Sequence, residues 1–334
     1  MRPLAADVTQ AAEAEEEELE EKSEEYSEEM QKRMGGFLTY RHEDGMNFAH
    51  VLDNLIVGSC LQKPADLDRL VDEEGVGTIY CLQKNSDMEW FQLDVRPIQA
   101  RAAERGDVKH VRYPIRDFDA FDVRMQLPRA VALLLQETNA GRGKSYVHCT
   151  AGLGRAPATA LAYMYWCRGM SLKEAHSLLT GVRPCNPNLA AIRAATCDLL
   201  FDKDSQCTVR IAVRRSGNAR SIQVAGLDVG WGQPLDMTYD VETHRFVLDR
   251  ALPPGRFPFK LIVDGRWTYS ADHPTYKDND NINNYVDVVP DISDSGVVAA
   301  RKRLLSEECN LTTAEREIMM RELLAMDVQP SPGS

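Results

Sequence analysis

The order of apolar and polar residues divides the 334-residue chain into four segments that differ in composition and in hydrophobic pattern. Residues 1–36 are dominated by glutamate and hold few apolar positions, which predicts an acidic disordered tail or at most a loose helix. From 37 to 203, short β-prone runs alternate with helix-prone runs. From 204 to 290, short strand-like runs follow one another between turn residues, and 291–334 is an amphipathic helical segment.

The second segment predicts an α/β domain. Its β-prone runs lie at 54–58, 77–82, 108–115 and 145–148. Its helix-prone runs begin after Pro64 and continue at 94–105, 127–138, 156–167, 171–180 and 189–201. Strands that alternate with helices form a mainly parallel central sheet flanked by helices, and such sheets bind ligands beyond the carboxyl ends of their strands. Cys149, directly after the fourth run, lies at such an end.

The third segment predicts an all-β sandwich. Strand-like runs at 208–213, 221–224, 246–248, 257–263 and 285–289 follow a polar linker at 202–206. Turn residues separate them, among them Asp264-Gly265, and no helical pattern intervenes. Short strands joined by tight turns form antiparallel sheets that pack face to face. Beyond them, apolar positions recur amid charges over 297–326, so this helical stretch needs a surface on which to dock.

The composition limits the classes of partner and site. The formal charge of −12 argues against nucleic acid or an anionic membrane as a partner, so any phosphate must be recognised by local groups. No apolar run approaches the length needed to span a membrane. The eight cysteines include no Cys-x-x-Cys pair and no histidine cluster accompanies them, so we expect neither a metal site nor a secreted disulfide framework. We expect a monomer in a reducing compartment.

The stretch from His148 to Arg155 carries the strongest chemical signal. Its small residues allow successive backbone N–H groups to point inward as an anion cradle, and the start of the following helix adds positive potential. These donors and Arg155 favour the thiolate of Cys149, while the planar guanidinium can hold two phosphoryl oxygens. The stretch predicts phosphoryl transfer to Cys149 followed by hydrolysis, without a cofactor. The alternative is a structural cysteine beside a surface arginine. The cradle residues are Thr150, Ala151, Gly152, Leu153 and Gly154.

The loop at 116–122 carries three carboxylates that can serve as a general acid. Cleavage of a phosphate ester needs a proton for the departing alkoxide, and the same group can later accept a proton from the attacking water. Asp117, Asp119 and Asp122 all have suitable side chains. The alternative is a solvated acidic loop whose aspartates cap the next helix, which describes Asp122 well.

The motif His148-Cys149-x5-Arg155 resembles the signature of the cysteine-dependent dual-specificity phosphatases. The fuller run from Cys149 to Pro157 is similar to that of the plant-type glucan phosphatases. This resemblance implies a dual-specificity phosphatase domain at 37–203, with Asp117 as the general acid. It implies hydrolysis of phosphate monoesters on starch or amylopectin through a phosphocysteine, in starch degradation. It also implies the plastid stroma at starch granules, while the cytosol stays open because no transit peptide is visible.

Two sets of residues are candidates for contact with the glucan. By the same resemblance, Trp90, Phe91 and Phe118 line a channel for a glucan chain, since aromatic rings cover the apolar faces of sugars. The segment 204–290 resembles a family-48 carbohydrate-binding module through 224–232, 257–267 and 283–285. In such a module tryptophans stack on glucosyl rings and polar side chains bind their hydroxyls. The alternative for the aromatic residues is core packing. The implied module residues are Trp231, Lys260, Trp267, Asn283 and Asn284, and the segment 291–334 is implied to dock on the phosphatase domain.

Two functions compete with the glucan phosphatase. The first is a protein or phosphoinositide phosphatase that is merely tethered to glucan, and the second is a non-catalytic glucan-binding scaffold. A redox switch is a further hypothesis. Cys81 ends one strand run and Cys149 directly follows another, so in a parallel sheet both thiols emerge at the same edge, where a disulfide is geometrically conceivable. A matching cysteine in the related plant family supports that pairing, and the alternative is a buried Cys81 without a redox role.

Overall fold

The computed structural model describes residues 5–34, 37–201, 207–214, 217, 219–278, 281–289, 295–307 and 309–331. Its contacts divide the chain into two compact units. The first consists of Met1–Ile192 together with Asn310–Ser334, and the second is Arg193–Cys309. The expected domain boundaries at 203/204 and 290/291 and the expected linker at 202–206 lie outside the described residues. Each unit is therefore described by itself.

The first unit contains a five-stranded sheet whose order is β1-β2-β5-β3-β4. Strands β2, β5, β3 and β4 run parallel, and only the edge strand β1 pairs antiparallel with β2. Every residue of β2 and β3 is buried, because helices cover both faces of the sheet. The mainly parallel α/β fold predicted from the sequence is confirmed. The strands are β1 (Phe48–Leu52), β2 (Leu55–Gly58), β3 (Val76–Cys81), β4 (Lys109–Arg112) and β5 (Lys144–His148).

The helices between these strands follow the predicted positions with two differences: α3 was not predicted, and α5 begins earlier than expected. This helix begins seven residues before the predicted start at 127, because Asp119 caps it by accepting a hydrogen bond from the N–H of Asp122 at 2.8 Å. The helices are α2 (Pro64–Asp72), α3 (Asn85–Trp90), α4 (Arg96–Arg105), α5 (Ala120–Asn139), α6 (Arg155–Cys167), α7 (Leu172–Val182) and α8 (Leu189–Phe201), the last of which contains the division between the units.

The acidic N-terminal segment is a long helix, α1 (Ala5–Met34), where the sequence predicted a disordered tail or at most a loose helix. Ser23, Ser27 and Met30 recur at helical spacing and are buried. These three residues form a narrow face of α1 that packs, while most of the glutamates that dominate the composition are exposed on its other sides. Packing of that face supplies stability that an isolated acidic helix lacks.

The predicted helical stretch at 297–326 is two helices. The first, α9 (Ser295–Leu304), belongs to the second unit, whereas α10 (Thr313–Ala325) packs against α5 and α6 within the first unit. Thr312 and Glu315 form a capping box at the start of α10. Arg316 donates to the carbonyl oxygens of Tyr165 at 2.9 Å and Met170 at 3.1 Å, which fixes α10 along α6.

The second unit is built from two antiparallel sheets, in agreement with the predicted β-rich domain. One sheet has the order β6-β10-β9, and the other has the order β13-β14-β11-β7-β8 with β12 paired to β11. Phe257, Phe259 and Leu261 alternate along β11 and are buried in the core of the unit. The strands are β6 (Cys207–Arg214), β7 (Ile222–Gly226), β8 (Gly230–Asp236), β9 (Thr238–Asp240), β10 (Arg245–Leu252), β11 (Gly255–Val263), β12 (Arg266–Thr268), β13 (Thr275–Asp278) and β14 (Asn281–Val288).

Among the residues that the structure describes, no helix is both long enough and apolar enough to cross a membrane.

Candidate active site

The phosphate cradle joins the central strand β5 to helix α6. Cys149 directly follows β5 and Arg155 is the first residue of α6, and both are 2% exposed. The neighbouring strands fix the entry to the loop, since the N–H of Cys60 donates to the carbonyl oxygen of Thr150 and the N–H of Leu82 to that of His148, each at 2.9 Å. A nucleophile is thus held at the carboxyl edge of a parallel sheet, where such folds bind ligands.

The guanidinium of Arg155 lies at the centre of a network of acceptors. Its Nη2 forms an ion pair with Oδ2 of Asp117 at 2.7 Å and donates to Oγ1 of Thr150 at 3.1 Å. Its Nη1 donates to the carbonyl oxygen of Ile115 at 3.0 Å and pairs with Asp87. Burial opposes the charge of Arg155, but the two carboxylates raise its pKa. The guanidinium of Arg155 is therefore oriented before any phosphate binds.

Asp117 has the environment of a general acid. Burial raises the pKa of its carboxyl, although Arg155 acts in the opposite direction. A raised pKa favours the protonated form, which is the form that donates a proton to a leaving group. The next residue, Phe118, has φ +54°, and its N–H donates to Oδ1 of Asp117 at 3.1 Å. A left-handed conformation at a phenylalanine is strained, and it holds the carboxyl toward the cradle.

The other two carboxylates of the loop stabilise the backbone. Asp119 caps α5, and Oδ2 of Asp122 accepts the N–H of Arg116 at 2.6 Å. Neither forms an ion pair with Arg155 among the described contacts. The structure therefore brings Asp117, of the three candidates, to the arginine of the cradle.

His148 contributes a neutral ring beside the nucleophile. Burial lowers its pKa to about 3, and His110 and the nearby arginines act in the same direction. Its Nδ1 lies 3.2 Å from the carbonyl oxygen of Cys149. A neutral imidazole can satisfy this carbonyl only when Nδ1 carries the proton, so the ring donates there and holds the backbone at the start of the loop.

Sequence reasoning missed Asp87 and Gln83. Asp87 accepts the N–H of Lys84 at 3.0 Å at the start of α3 and pairs with Arg155. Gln83 donates from Nε2 to Oγ1 of Thr150 at 3.2 Å. The signal in the sequence was a carboxylate at the third position of a helix, which normally indicates capping alone. The second partner of Asp87, Arg155, is remote in sequence and could not be inferred from the local pattern.

The predicted channel aromatics have different environments. Phe91 and Phe118 lie in one cluster with the cradle residues Ala151 and Leu153. Trp90 is not part of that cluster; its indole is 44% exposed and donates from Nε1 to the carbonyl oxygen of Lys22 at 3.5 Å. Phe91 stacks on His42 with ring centroids 4.5 Å apart. The cluster also contains Tyr26, a residue of α1 that sequence reasoning missed because the tail was expected to be disordered.

In the second unit, Lys260 and Trp267 share one face of a sheet. Trp267 is directly opposite Ile262, and Ile262 and Lys260 alternate with the core residues of β11, so both candidates face away from that core. Trp267 is 52% exposed, and Nζ of Lys260 lies 3.3 Å from Oδ1 of Asn281. The ring of Trp231 packs closely over Gly226, since a Cβ atom added to this glycine would lie 3.2 Å from the ring. An exposed indole beside an ammonium group suits a sugar ring and its hydroxyls.

Asn284 has a structural role that differs from the predicted one. It is paired with the core residue Phe259 and is fully buried. Its Nδ2 donates to the carbonyl oxygen of Ser270 at 2.8 Å, and its Oδ1 accepts the N–H of Ser270 at 2.7 Å. These bonds hold the turn before β13, so the amide cannot bind a sugar without breaking them. Asn283 alternates with it along β14 on the side of Lys260, and it too is buried, with 5% of its surface exposed.

Two family models match the chain. One is described as the dual specificity phosphatase catalytic domain and matches residues 83–194. The other is described as the glycogen recognition site of AMP-activated protein kinase and matches residues 209–294. A phosphoglucan phosphatase of Castanea sativa, DSP4, amyloplastic, is 43% identical over 297 residues, which are 88% of this chain and 78% of that protein. The chain belongs to the phosphoglucan phosphatase family. It is a cysteine-dependent phosphatase of the dual-specificity type, as the cradle motif predicted.

Two further comparisons are with a second relative and with a solved structure. Phosphoglucan phosphatase LSF1, chloroplastic, of Arabidopsis thaliana is 30% identical over 293 residues, which are 82% of this chain and 49% of that protein. Among solved structures, that of Tk-PTP in the active form has 18% sequence identity and a TM-score of 0.38, and covers 47% of this chain and 97% of that one.

The described residues of this family member contain no group of three or more His, Cys, Asp or Glu side chains that could hold a metal ion. Its eight cysteines are free thiols in the structure. Cys81 ends β3 opposite His148 of β5, one residue before Cys149. Burial raises the pKa of the Cys81 thiol to about 11 and that of Cys60 to about 12. Both groups are therefore mainly protonated thiols near neutral pH.

Proposed function

We propose that this protein removes phosphate from the glucosyl units of phosphorylated starch or amylopectin. The observation that carries the proposal is the convergence of Cys149, Arg155 and Asp117 at one sheet edge, in a chain that also carries a sugar-binding type of module. The names of its relatives DSP4 and LSF1 support the same substrate class.

The first step is attack of the Cys149 thiolate on phosphorus. The bond between phosphorus and the sugar oxygen breaks, and Asp117 protonates that oxygen as it leaves. Arg155 holds two phosphoryl oxygens, while the N–H groups of 150–154 stabilise the charge on the phosphoryl group. The product of this step is a phosphocysteine and a free sugar hydroxyl.

The second step is hydrolysis of the phosphocysteine. Asp117, now ionised, accepts a proton from a water molecule that attacks phosphorus, and the bond between phosphorus and sulfur breaks. Inorganic phosphate leaves and the Cys149 thiolate is restored. The side chains of the site supply the nucleophile, the acid and the positive charge, so no step requires a cofactor.

Glucan contact is divided between the units in this proposal. Trp90, Phe91 and Phe118 bind the chain near the cradle, and Trp231, Lys260, Trp267 and Asn283 bind it on the module. We also propose a monomer, and location in the plastid, which the words amyloplastic and chloroplastic in the relatives' names support. The cytosol is the alternative location.

Relative kcat/KM values on phosphorylated amylopectin, a phosphopeptide and a phosphoinositide test the substrate class. The proposal expects the glucan to be preferred. Preference for the phosphopeptide or the phosphoinositide would favour the tethered protein or lipid phosphatase. Binding of starch without release of phosphate from any of the three would favour the non-catalytic scaffold.

A Cys81–Cys149 disulfide remains part of the proposal. Peroxide would oxidise the Cys149 thiolate to a sulfenic acid, and Cys81 would then attack that sulfur with release of water and form the disulfide, which dithiothreitol reduces. The adjacent register of β3 and β5 supports the pairing. Peptide mapping after peroxide treatment tests it. Absence of a linked peptide, or equal recovery of activity in Cys81→Ser, would reject the switch.

A further inference from the structure

Arg183 binds the phosphate loop from its outer side. It follows α7 and is 5% exposed. Its Nε donates to the carbonyl oxygen of Gly152 at 2.7 Å, and its Nη2 donates to that of Ala151 at 2.9 Å. The same Nη2 donates to Oδ1 of Asn47 at 2.7 Å. Arginine supplies this planar set of donors, whereas lysine carries a single ammonium group.

The two bonds to the loop fix the direction of its peptide groups. In a trans peptide, the carbonyl oxygen and the N–H of the next residue point to opposite sides. The N–H groups of Gly152 and Leu153 therefore point away from Arg183. Gly152 has φ +68°, and a Cβ atom there would lie 2.7 Å from Nη2 of Arg183, so the guanidinium packs tightly against the loop.

We propose that Arg183 is a positioning residue that keeps two N–H donors of the cradle aimed at the phosphoryl group. Donors stabilise developing charge most effectively when they are oriented before the reaction. The inference rests on the proposed phosphatase chemistry but not on glucan as the substrate.

Steady-state kinetics of Arg183→Lys and Arg183→Met on a small aryl phosphate test this role. We expect kcat to fall by roughly 10²-fold and vanadate to bind more weakly, with the melting temperature of the lysine variant close to that of the wild type. The control is Arg168→Lys, at an exposed arginine after α6, which should keep wild-type kinetics.

Wild-type kcat and vanadate affinity in Arg183→Lys would overturn the inference. A loss of thermal stability in Arg183→Met with normal kcat per folded molecule would do the same. If the wild-type protein itself does not hydrolyse the aryl phosphate, the proposed function fails and not this role.

A second observation, independent of Arg183, concerns α1. Tyr26 donates from its hydroxyl to Oδ2 of Asp117 at 2.6 Å. Its ring lies 5.6 Å from Phe91 and 5.4 Å from Phe118. Burial raises the pKa of Tyr26 well above its ordinary value, so the phenol stays protonated and keeps donating. One side chain of α1 therefore contacts the general acid and two of the aromatic residues proposed to bind glucan.

Two serines anchor α1 beside this contact. Oγ of Ser27 accepts the N–H of Tyr40 at 2.9 Å and lies 3.1 Å from the carbonyl oxygen of Tyr40. Oγ of Ser23 accepts the N–H of His42 at 2.9 Å. Met30 is 1% exposed and lies in the same cluster as the cradle residues. Further polar contacts hold the helix, among them those of Gln31 with the carbonyl oxygen of Leu38 at 3.2 Å and of Asn186 with that of Met34 at 2.6 Å. The surface that α1 covers is the one a substrate needs.

The geometry points to α1 as an autoinhibitory segment in which Tyr26 occupies the cleft until phosphorylated glucan displaces it. Oδ2 of Asp117 binds both Tyr26 and Arg155 in this arrangement. A sugar phosphate cannot contact the acid and the aromatic faces while the phenol is there. This inference also rests on the proposed function.

Tyr26→Ala and the double variant Ser23→Ala/Ser27→Ala test the inhibition in the full-length protein. Loss of one hydrogen bond and its ring contacts should raise kcat/KM for the aryl phosphate by roughly fivefold or more. Glu25→Ala and Glu28→Ala change exposed positions of α1 and should keep the wild-type value. An unchanged or lower kcat/KM in both Tyr26→Ala and the double variant would overturn the inference.

Hydrogen exchange gives a readout that does not depend on catalysis. Cys149→Ser mixed with phosphorylated amylopectin should lose amide protection over 23–34, while exchange in α10 stays unchanged. Retained protection over 23–34 with the glucan bound would contradict displacement of α1. Failure of the wild-type protein to release phosphate from glucan would instead reject the proposed function.

Discussion

Three aspartates of one loop differ in role because they differ in partners. Asp119 accepts the N–H of Asp122 at the start of α5, and Asp122 accepts that of Arg116 in the preceding loop. Asp117 instead pairs with Arg155, and burial raises its pKa. Spacing alone predicted the loop and the type of acid but left all three open. The choice depends on the ion pair with Arg155, a residue remote in sequence.

Asp117→Asn should lower kcat by roughly 10²- to 10⁴-fold. In the wild type, the protonated acid is lost as pH rises through the raised pKa of Asp117, so kcat should fall on the basic side of its profile. That fall should be absent from the residual activity of the variant. A normal rate in Asp117→Asn together with a large loss in Asp119→Asn would show that the acid is wrongly assigned.

Cys149→Ser should abolish turnover and keep starch binding.

Acid should destabilise the phosphatase unit through its buried histidines. Burial lowers the pKa of His42 and His110 to about 4 and that of His148 to about 3. Between their ordinary pKa of about 6.5 and these values the unfolded chain binds more protons, so stability falls as pH falls, by up to ~1.4 kcal/mol per pH unit for each. Urea unfolding across this range measures the slope.

His110→Gln should make that slope shallower, whereas His244→Gln, at an exposed position of the other unit, should leave it unchanged. Equal slopes in the wild type and His110→Gln would contradict a contribution of the lowered pKa of His110 to the loss of stability in acid.

At the scale of elements, local patterns predicted the strand, loop and helix that form the cradle. The alternation of β-prone and helix-prone runs gave the parallel sheet, because each strand is a short buried run between helices. The pattern failed for α1 because glutamates dominate its composition and because partners of its narrow packing face, such as Asp117 for Tyr26, are distant in sequence. It also missed the short helix α3 and the strands β1, β8, β9 and β13, most of whose positions are exposed or half-buried.

Helix α10 offers a matched pair of leucines for measuring how it docks. Leu323 is 0% exposed and Leu324 is 57% exposed. Leu323→Ala should lower the free energy of unfolding of the first unit by about 2–5 kcal/mol because it leaves a cavity. Leu324→Ala should change it by less than about 0.5 kcal/mol. Equal effects in chemical denaturation would mean that α10 is not docked through Leu323.

At the scale of the whole molecule, a catalytic unit and a module of the sugar-binding type share one chain. A second binding site on the same polymer raises the effective concentration of substrate at the first. The sequence predicted both units, since each has its own texture and motif. It could not predict that Asn284 serves the fold, because its burial depends on pairing with Phe259.

Trp267→Ala, Trp231→Ala and Lys260→Ala should lower phosphate release from insoluble starch by roughly 10-fold or more and leave hydrolysis of an aryl phosphate unchanged. Arg266→Ala changes an exposed residue beside Trp267 and serves as the control. Parallel losses on both substrates would indicate misfolding and remove support for a role of the module.

The central claim is that phosphate passes from glucan to Cys149. Amylopectin carrying radioactive phosphate can be mixed with the enzyme, the reaction stopped in acid, and the labelled peptide mapped while released phosphate is counted. The account predicts label on Cys149, release of free phosphate, and neither signal in Cys149→Ser. Release of phosphate without label on Cys149, or release by Cys149→Ser, would contradict it.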